Sequence, residues 1–348
     1  WDPVTLTATD TTAARFTWTL VRPDPADDAR PGPPFAPGDL TRRPQTAPAG
    51  AVGAELVIAR GGPAVLVIDR VDRAGRPCTP AIVPIRRLTG YRSGAAPMPL
   101  DLRVPTCEGT RAGMIEVEAG PFIAGGVGEP PSEVARDKGQ PERQTILAGY
   151  ALDRTEVPNG FAKAMGAALV AAGYALPLYP DSDQLYQGSE PPWPITAIAR
   201  RDAAMLCAMA GKRLPSSLEW QKAMRGGATI VGRPNPYPRR NLPWGPPRAD
   251  ARANLKPPEV ADRLRFGAPL ATGAMPGDVG PYGHLDLAGN VSEWTTDDDP
   301  RGLAIVRGGN WAETEPDWLV DFLAIDNPRA PNTTMYHIGF RCAVSARP

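Results

Sequence analysis

Proline and glycine recur so often along this chain that long helices cannot make up its fold. There are 43 prolines and 36 glycines among 348 residues. Proline lacks a backbone donor and kinks a helix interior, and glycine weakens helices and strands alike. The sequence therefore predicts a loop-rich fold, and its length allows two domains.

Residues 1–108 predict a small β-sandwich. Five short runs rich in branched residues are bounded by glycine or proline, as strands are: RFTWTLVR, AELVIAR, AVLVIDRVD, AIVPIRRL and LDLRV. A proline-rich segment at about 23–53 has too few large apolar side chains to pack, and we interpret it as a loop or linker. Cys78 and Cys107 both lie in this region and could staple it.

Residues 111–348 predict a second domain that contains two helices. The segment MIEVEAGPFIAGG predicts a strand, a turn and a strand. In IARRDAAMLCAMAGKR the apolar residues recur at helical spacing, which places Cys207 on a buried helix face. In LPSSLEWQKAMRGG, Ser216 and Glu219 have the spacing of a capping box, in which each side chain satisfies a backbone donor of the other.

The charge balance argues against binding to nucleic acid or to a lipid surface. The 38 basic and 38 acidic side chains cancel, so no excess charge would steer the chain towards either partner. No apolar run approaches the roughly 18 residues of a membrane-spanning helix. Because the chain begins at Trp1 and not at methionine, we expect a trimmed N-terminus, which leaves open a lost signal peptide, lipid anchor or further domain.

Histidine and cysteine limit the metal chemistry that is available. With only two histidines, His284 and His337, a three-histidine centre cannot form. The four cysteines form no CxxC pair, and an even, widely spaced set suits two disulfides.

Eight short motifs occur in the order found in formylglycine-generating-enzyme-like domains, the sulfatase-modifying-factor family. They are MIEVEAGPFIAGG, YALDRTEVPNGF, AGKRLPSSLEWQKAMRGG, LPWG, ANL, LDLAGNVSEW, VRGGNW and IGFRCA. The resemblance covers about residues 111–346. It implies a loop-rich α+β domain related to C-type lectins and stabilised by disulfides and calcium. It also implies a disulfide between Cys207 and Cys342; the alternative is two buried free thiols in a reducing compartment.

The resemblance does not extend to the family's copper site. Members that make formylglycine have two copper-binding cysteines shortly after the GGSW-like motif, and an ungapped alignment places Glu313 and Trp318 at those positions. A carboxylate and an indole do not replace the thiolates that select Cu(I). We therefore expect neither copper nor iron, and no formylglycine chemistry. A function read from the fold alone would be unsafe.

The stretch LDLAGNVSEWTTD predicts a calcium site. The resemblance implies side-chain ligands from Asp286 and Glu293 and main-chain carbonyl ligands from Gly289 and Val291, a mixture that suits this hard cation. The alternative is a tight turn in which Asp286 and Asn290 cap backbone donors and Glu293 meets an arginine.

A second calcium site would use Asn254 and Leu255 with a downstream acid such as Asp262, although the spacing departs from the family pattern.

The family's substrate groove would lie beside residues 310–326, where aromatic and acidic side chains alternate. The candidate groove residues are Trp311, Glu313, Trp318 and Phe322. Exposed aromatic side chains of this kind bind peptides, sugars or subunits. Alternatively they belong to the core, and Trp311 is the stronger core candidate because it lies within the GGNW motif.

These observations favour a non-catalytic, calcium-stabilised protein that is secreted, periplasmic or on the cell surface. Its lectin-like domain would dock a protein or glycan, for instance as a subunit of a larger assembly. Two alternatives remain: a metal-dependent oxidase or other enzyme that uses the altered groove, and a variable ligand-display protein.

Overall fold

The structure, a computed structural model, describes residues 2–8, 16–21, 50–51, 56–58, 64–85, 100–161, 192–246, 250–255, 268–312 and 318–346. The chain divides into two units. The first contains the N-terminal residues through Ala112 together with Ala204–Arg213, and the second contains most of the remainder. The sequence placed the domain boundary at 108–111 and assigned 204–213 to the second domain. Most of the proline-rich segment at 23–53 lies outside the described residues.

The first unit contains two sheets. The strands are β1 (Asp2–Ala8), β2 (Phe16–Val21), β3 (Gly50–Ala51), β4 (Leu56–Ile58), β5 (Ala64–Val71), β6 (Pro77–Ile85) and β7 (Leu100–Val104). One sheet has the order β4-β1-β7 and the other β3-β2-β5-β6. All five sequence runs predicted as strands contain one. The sandwich packing of the two sheets stays a prediction.

A buried arginine and a disulfide connect these sheets to the short helix α1 (Cys107–Arg111). Arg70 donates from Nη1 to the Pro105 carbonyl and to Thr110 Oγ1, both at 2.6 Å, and from Nη2 to the Thr79 carbonyl at 2.5 Å. Cys78 on β6 is bonded to Cys107, as the sequence suggested. This unit is therefore held by directed bonds in addition to apolar packing.

The second unit is built from short strands and helices. Its strands are β8 (Met114–Val117), β9 (Gly120–Ala124), β10 (Arg143–Leu147), β11 (Tyr150–Asp153), β12 (Thr229–Ile230), β13 (Arg233–Pro234), β14 (Ser292–Asp298), β15 (Ala304–Arg307), β16 (Asn327–Arg329), β17 (Ile338–Gly339) and β18 (Ala343–Ser345). The helices are α2 (Glu133–Lys138), α3 (Arg200–Met209), which continues into the first unit, α4 (Ser217–Arg225) and α5 (Leu319–Ala324).

The strands of the second unit form four small sheets. Their orders are β18-β11-β8, β10-β9, β12-β13 and β16-β15-β14-β17. Every pairing is antiparallel except that of β14 with β17. The mixture of helices with small, mostly antiparallel sheets is an α+β arrangement.

Helix α4 lies at the centre of the second unit's core. Its Ser216–Glu219 capping box is present, which confirms the sequence prediction, and Gly226 ends the helix at a φ of 84°. Trp220 and Met224 of α4 are fully buried against Leu287, Leu319 and other apolar side chains. The core thereby places α4 directly beside the loop formed by residues 285–290, which we call the LDLAGN loop.

All four cysteines form disulfides. Besides the Cys78–Cys107 bond, Cys207 and Cys342 are also in disulfide form, and no cysteine is free. The alternative of free thiols is therefore wrong.

Candidate functional site

The LDLAGN loop has a backbone that few residue types adopt. Asp286 and Asn290 have positive φ values of 56° and 65°, and aspartate and asparagine tolerate this left-handed conformation better than most residues. A Cβ at Gly289 would lie 2.5 Å from the Asn254 carbonyl oxygen, so a larger residue would not fit. The loop therefore folds tightly because of the residue types at these three positions.

Asn290 ties the loop to two other segments. Its backbone N–H donates to the Asn254 carbonyl at 2.8 Å. Its side-chain Oδ1 accepts from the Leu270 N–H at 2.8 Å and from Asn254 Nδ2 at 3.1 Å. Asn290 therefore braces the turn, as the tight-turn interpretation of the sequence suggested.

Glu293 is fully occupied by a buried ion pair. Oε1 accepts from Arg341 Nη2 at 2.6 Å, and Oε2 accepts from Arg341 Nε at 2.7 Å and from Trp220 Nε1 at 2.9 Å. Both partners are essentially inaccessible to solvent. Burial raises the pKa of Glu293, although Arg341 opposes that shift. The carboxylate thus already accepts three hydrogen bonds from buried donors.

Arg341 also holds the start of the loop. Its Nη2 donates to the carbonyls of Leu285 and Asp286, both at 3.0 Å. The pKa of Arg341 is raised by Glu293, Glu156 and Asp286 against the opposing effect of burial. It therefore remains a fixed cation within the site.

Three further buried carboxyl groups surround the loop. Asp286 Oδ2 accepts from the Gly273 N–H at 2.5 Å. Asp278 Oδ2 accepts from the N–H groups of Ala288 and Gly289 at 2.9 and 3.0 Å. Glu156 Oε1 accepts from the Val291 N–H at 3.3 Å, whereas no donor among the described residues reaches its buried Oε2.

This concentration of buried acid shifts the pKa values upward. Burial, followed by the charge of Asp286, raises the pKa of Glu156 well above its usual range. The same two causes raise the pKa of Asp278 to about 7, and burial raises that of Asp286. Four buried acids face one buried arginine, so either protons or a cation must balance the excess negative charge.

The structure brings the predicted calcium ligands Asp286, Gly289, Val291 and Glu293 together in one buried loop. It also contains the contacts of the alternative interpretation, since Asp286 accepts a backbone donor and Glu293 meets Arg341. Among the described residues, no three His, Cys, Asp or Glu side chains converge as a metal site. A cation here would depend on main-chain carbonyls as well as on carboxylates, and the calcium site stays a prediction.

Residues that sequence reasoning missed complete this cluster. Glu156 is 135 residues from Val291 in sequence, whereas Asp278 lies only shortly before the loop, and the sequence analysis assigned neither of them to the site. Arg341 lies in the quoted IGFRCA motif, but nothing in the motif assigned it to Glu293.

The second predicted calcium site is only partly described. Asn254 donates from Nδ2 to Asn290 Oδ1 and to the Ala268 carbonyl, so it braces the first loop. Leu255 is buried in the core of the second unit. Asp262 lies outside the described residues, and this site stays a prediction.

The residues of the predicted groove differ in exposure. Trp311 is 2 % exposed, as its place in the GGNW motif suggested, and its ring lies 5.7 Å from that of Tyr336. Trp318 is 53 % exposed and Tyr336 is 38 % exposed, whereas Phe322 is partly buried. Glu313 lies outside the described residues. The exposed aromatic residues of this region are therefore Trp318 and Tyr336. Tyr336 was not among the predicted groove residues.

Comparisons with known proteins agree with the motif order. The model of the sulfatase-modifying factor enzyme 1-like domain matches residues 101–346. Inactive C-alpha-formylglycine-generating enzyme 2 of Bos taurus is 32 % identical over 166 residues, which are 44 % of this chain and 51 % of that protein. The chain thus spans about half the length of that relative.

Two longer matches complete the comparison. Formylglycine-generating enzyme of Mus musculus is 24 % identical over 74 % of this chain and 79 % of its own length. The structure of PvdO from Pseudomonas aeruginosa matches with a TM-score of 0.49 and 23 % identity, over 67 % of this chain and 94 % of that one. The family model matches more than two thirds of this chain. We therefore conclude that the chain belongs to the family of sulfatase-modifying factor enzyme 1-like, or formylglycine-generating-enzyme-like, domains.

Proposed function

We propose that this chain is a non-catalytic, calcium-stabilised binding module of a secreted, periplasmic or cell-surface protein. The observation that carries the proposal is the state of the cysteines: all four are in disulfides, and none lies between Arg307 and Pro331. No thiolate pair is available for Cu(I). The bovine relative, which lacks activity according to its name, supports a non-catalytic role.

Disulfides support the proposed compartment, because they persist in oxidising environments such as the periplasm and the cell exterior. Within the described part of the chain, none of the helices has the length and apolar character that crossing a lipid bilayer requires.

The buried acids support calcium, with one change to the predicted ligand set. Glu156 Oε2 is buried beside Asp286 and accepts no hydrogen bond from the described residues, whereas Glu293 already accepts three hydrogen bonds from Arg341 and Trp220. We propose that Asp286, Glu156 and the loop carbonyls of Gly289 and Val291 hold the ion. Calcium would offset the negative charge that otherwise requires protonation.

Chelation tests this site. A calcium chelator should lower the melting temperature, since calcium at about 100 times its Kd stabilises the native state by about 2.7 kcal/mol. Asp286→Ala and Glu156→Gln should each abolish the sensitivity to the chelator. Asp299→Asn, which alters a turn outside this cluster of acids, should retain it. An unchanged wild-type melt would leave only a tight turn.

Trp318 and Tyr336 support docking of a protein or glycan. Trp318 exposes 53 % of its surface at the N-terminal end of α5, and Tyr336 rests against buried Trp311. A rigidly backed aromatic ring is typical of interface anchors. Glycans or proteins retained by the immobilised chain should be lost with Trp318→Ala but kept with Val231→Ala, which removes another exposed apolar side chain.

Metal content separates this proposal from the enzymatic alternative. The purified chain should contain calcium without stoichiometric copper or iron. A redox metal bound in a one-to-one ratio would overturn the non-catalytic role.

A further inference from the structure

A second candidate site lies in a cavity of about 240 Å³ within the second unit. The first two turns of α4 line it with Ser217, Leu218 and Gln221. Gly125 and Arg143, from the β9–β10 pair and its connection, line another side. None of the predicted groove residues that the structure describes lines this cavity.

Two hydrogen-bond donors in the cavity lining have no acceptor. Gln221 is only 2 % exposed, and its Oε1 accepts from the Gly125 N–H at 3.3 Å. Gln221 lines the cavity, and its Nε2 donates to no atom among the described residues. The Arg143 guanidinium likewise has no hydrogen bond or ion pair in the described part of the chain. Both donors are accessible to solvent, so a ligand oxygen that enters the cavity can accept hydrogen bonds from them.

Two carboxylates in the lining each keep one oxygen free. Asp297 Oδ2 accepts from the Ser217 N–H at 2.5 Å. Asp326 Oδ1 is paired with buried Arg307 and accepts from Ser217 Oγ at 3.5 Å. In the described residues, Asp297 Oδ1 and Asp326 Oδ2 accept no hydrogen bond. These two oxygens can receive the protons of a cationic group.

Helix α4 sets the separation between the acidic side and the donor side. The two carboxylates contact Ser217, and the Gly125 loop contacts Gln221 one turn later. Side chains four residues apart on a helix are about 5–6 Å apart. That separation suits a ligand whose cationic and anionic groups lie on neighbouring atoms.

Three aspartates and two arginines line the cavity, and Arg200, which lies outside the lining, pairs with one of the aspartates. Asp326 is offset by Arg307, and Asp298, which also lines the cavity, is paired with Arg200 at 2.5 Å. Asp297 and Arg143 remain, with opposite charges. A ligand that carries one positive and one negative group can make a charge-assisted contact with each of them.

We propose that this cavity binds a free apolar α-amino acid as its zwitterion. Asp297 and Asp326 accept hydrogen bonds from the ammonium group, and Arg143 with Gln221 donates to the carboxylate. Leu218, Ile305 and Ala324 supply an apolar surface for the side chain. Sugar stacking is not favoured, because no aromatic ring lines the cavity among the described residues. This proposal is independent of calcium and of docking at Trp318.

Calorimetric titration of the whole chain tests the proposal. The probes are L-alanine, L-valine and L-leucine at up to about 10 mM, a range that detects millimolar Kd values. We expect at least one of them to bind. For L-leucine, 3-methylbutylamine lacks only the carboxylate and 4-methylpentanoate lacks only the ammonium group; each should bind about tenfold or more weakly, because each loses a charge-assisted contact.

Variants at the exposed arginine identify the site without threatening the fold. Arg143→Ala should weaken amino-acid binding about tenfold and leave the affinity for 3-methylbutylamine unchanged. Arg143→Lys should retain part of the affinity. The matched control is Arg136→Ala, which removes an exposed arginine of α2 outside the cavity. No heat of binding with all three amino acids, or equal affinity of wild type and Arg143→Ala, would overturn the proposal.

Discussion

At the residue scale, the Glu293–Arg341 pair is the most demanding interaction in the second unit. Both groups are buried, and two hydrogen bonds join them. Removing one partner of such a pair leaves an uncompensated charge in the interior, which costs far more than the pair itself contributes.

Glu293→Gln should therefore lower the free energy of unfolding by roughly 3–5 kcal/mol in denaturant titrations. The control is Glu133→Gln, which breaks the exposed Glu133–Arg136 pair and should cost less than about 1 kcal/mol. Similar losses in both variants would contradict the role assigned to Glu293.

A second prediction at the residue scale concerns Asp278 and the pH dependence of stability. Burial raises its folded pKa to about 7, above the value of about 4 expected in the unfolded chain. The folded state thus holds the proton more tightly, and the stability from this group is complete below about pH 4 and is lost as the pH rises to about 7.

With calcium removed by a chelator, stability should fall over that pH range by up to roughly 4 kcal/mol from this group. Asp278→Asn should reduce the slope in urea titrations between pH 4 and 7. Asp299→Asn should leave that slope unchanged, because hydrogen bonds from Leu303 and Arg301 lower the pKa of Asp299 and its titration falls at lower pH. An equal slope in the wild type and Asp278→Asn would rule out this assignment.

At the element scale, local signals predicted α3 and α4 but not the shorter helices α1, α2 and α5. The capping box of Ser216 and Glu219 fixed the start of α4, and apolar spacing located α3, because both signals involve residues within one turn. The strand β14 was not predicted. Its parallel partner β17 lies some forty residues later in the chain, and local periodicity carries no information about such pairing.

The same distinction holds for the candidate site. The LDLAGN loop could be predicted, since its glycine, aspartate and asparagine suit a tight turn. Glu156 could not, because it reaches the loop from a segment 135 residues away from Val291. Buried acids brought together by tertiary contacts leave no local pattern.

Ser216→Ala tests the capping box of α4. It removes the acceptor of the Glu219 N–H and should destabilise the protein by about 1 kcal/mol in denaturant titrations. Thr334→Ala, at an exposed position, should change stability by no more than about 0.5 kcal/mol. Equal stability of Ser216→Ala and the wild type would show that tertiary packing alone fixes this helix end.

At the scale of the whole molecule, directed bonds compensate for scarce regular structure. The elements are short, and many are joined by proline- and glycine-rich turns, so few residues gain stability from long hydrogen-bonded ladders. Buried ion pairs, disulfides and, as we propose, calcium supply the remaining constraints. Because ion pairs and disulfides join residues far apart in the sequence, local motifs indicated family membership more readily than strand order.

The Cys78–Cys107 disulfide provides a test of this reliance. It closes a segment with a sequence separation of 29, and a loop of that length restricts the unfolded chain by about 3–4 kcal/mol in the chain-entropy model. Replacing both cysteines by serine should lower the free energy of unfolding by about that amount in non-reducing denaturant titrations. A loss below about 1 kcal/mol would mean that the hydrogen bonds of Arg70 to Thr79, Pro105 and Thr110 hold α1 against β6 without the covalent link.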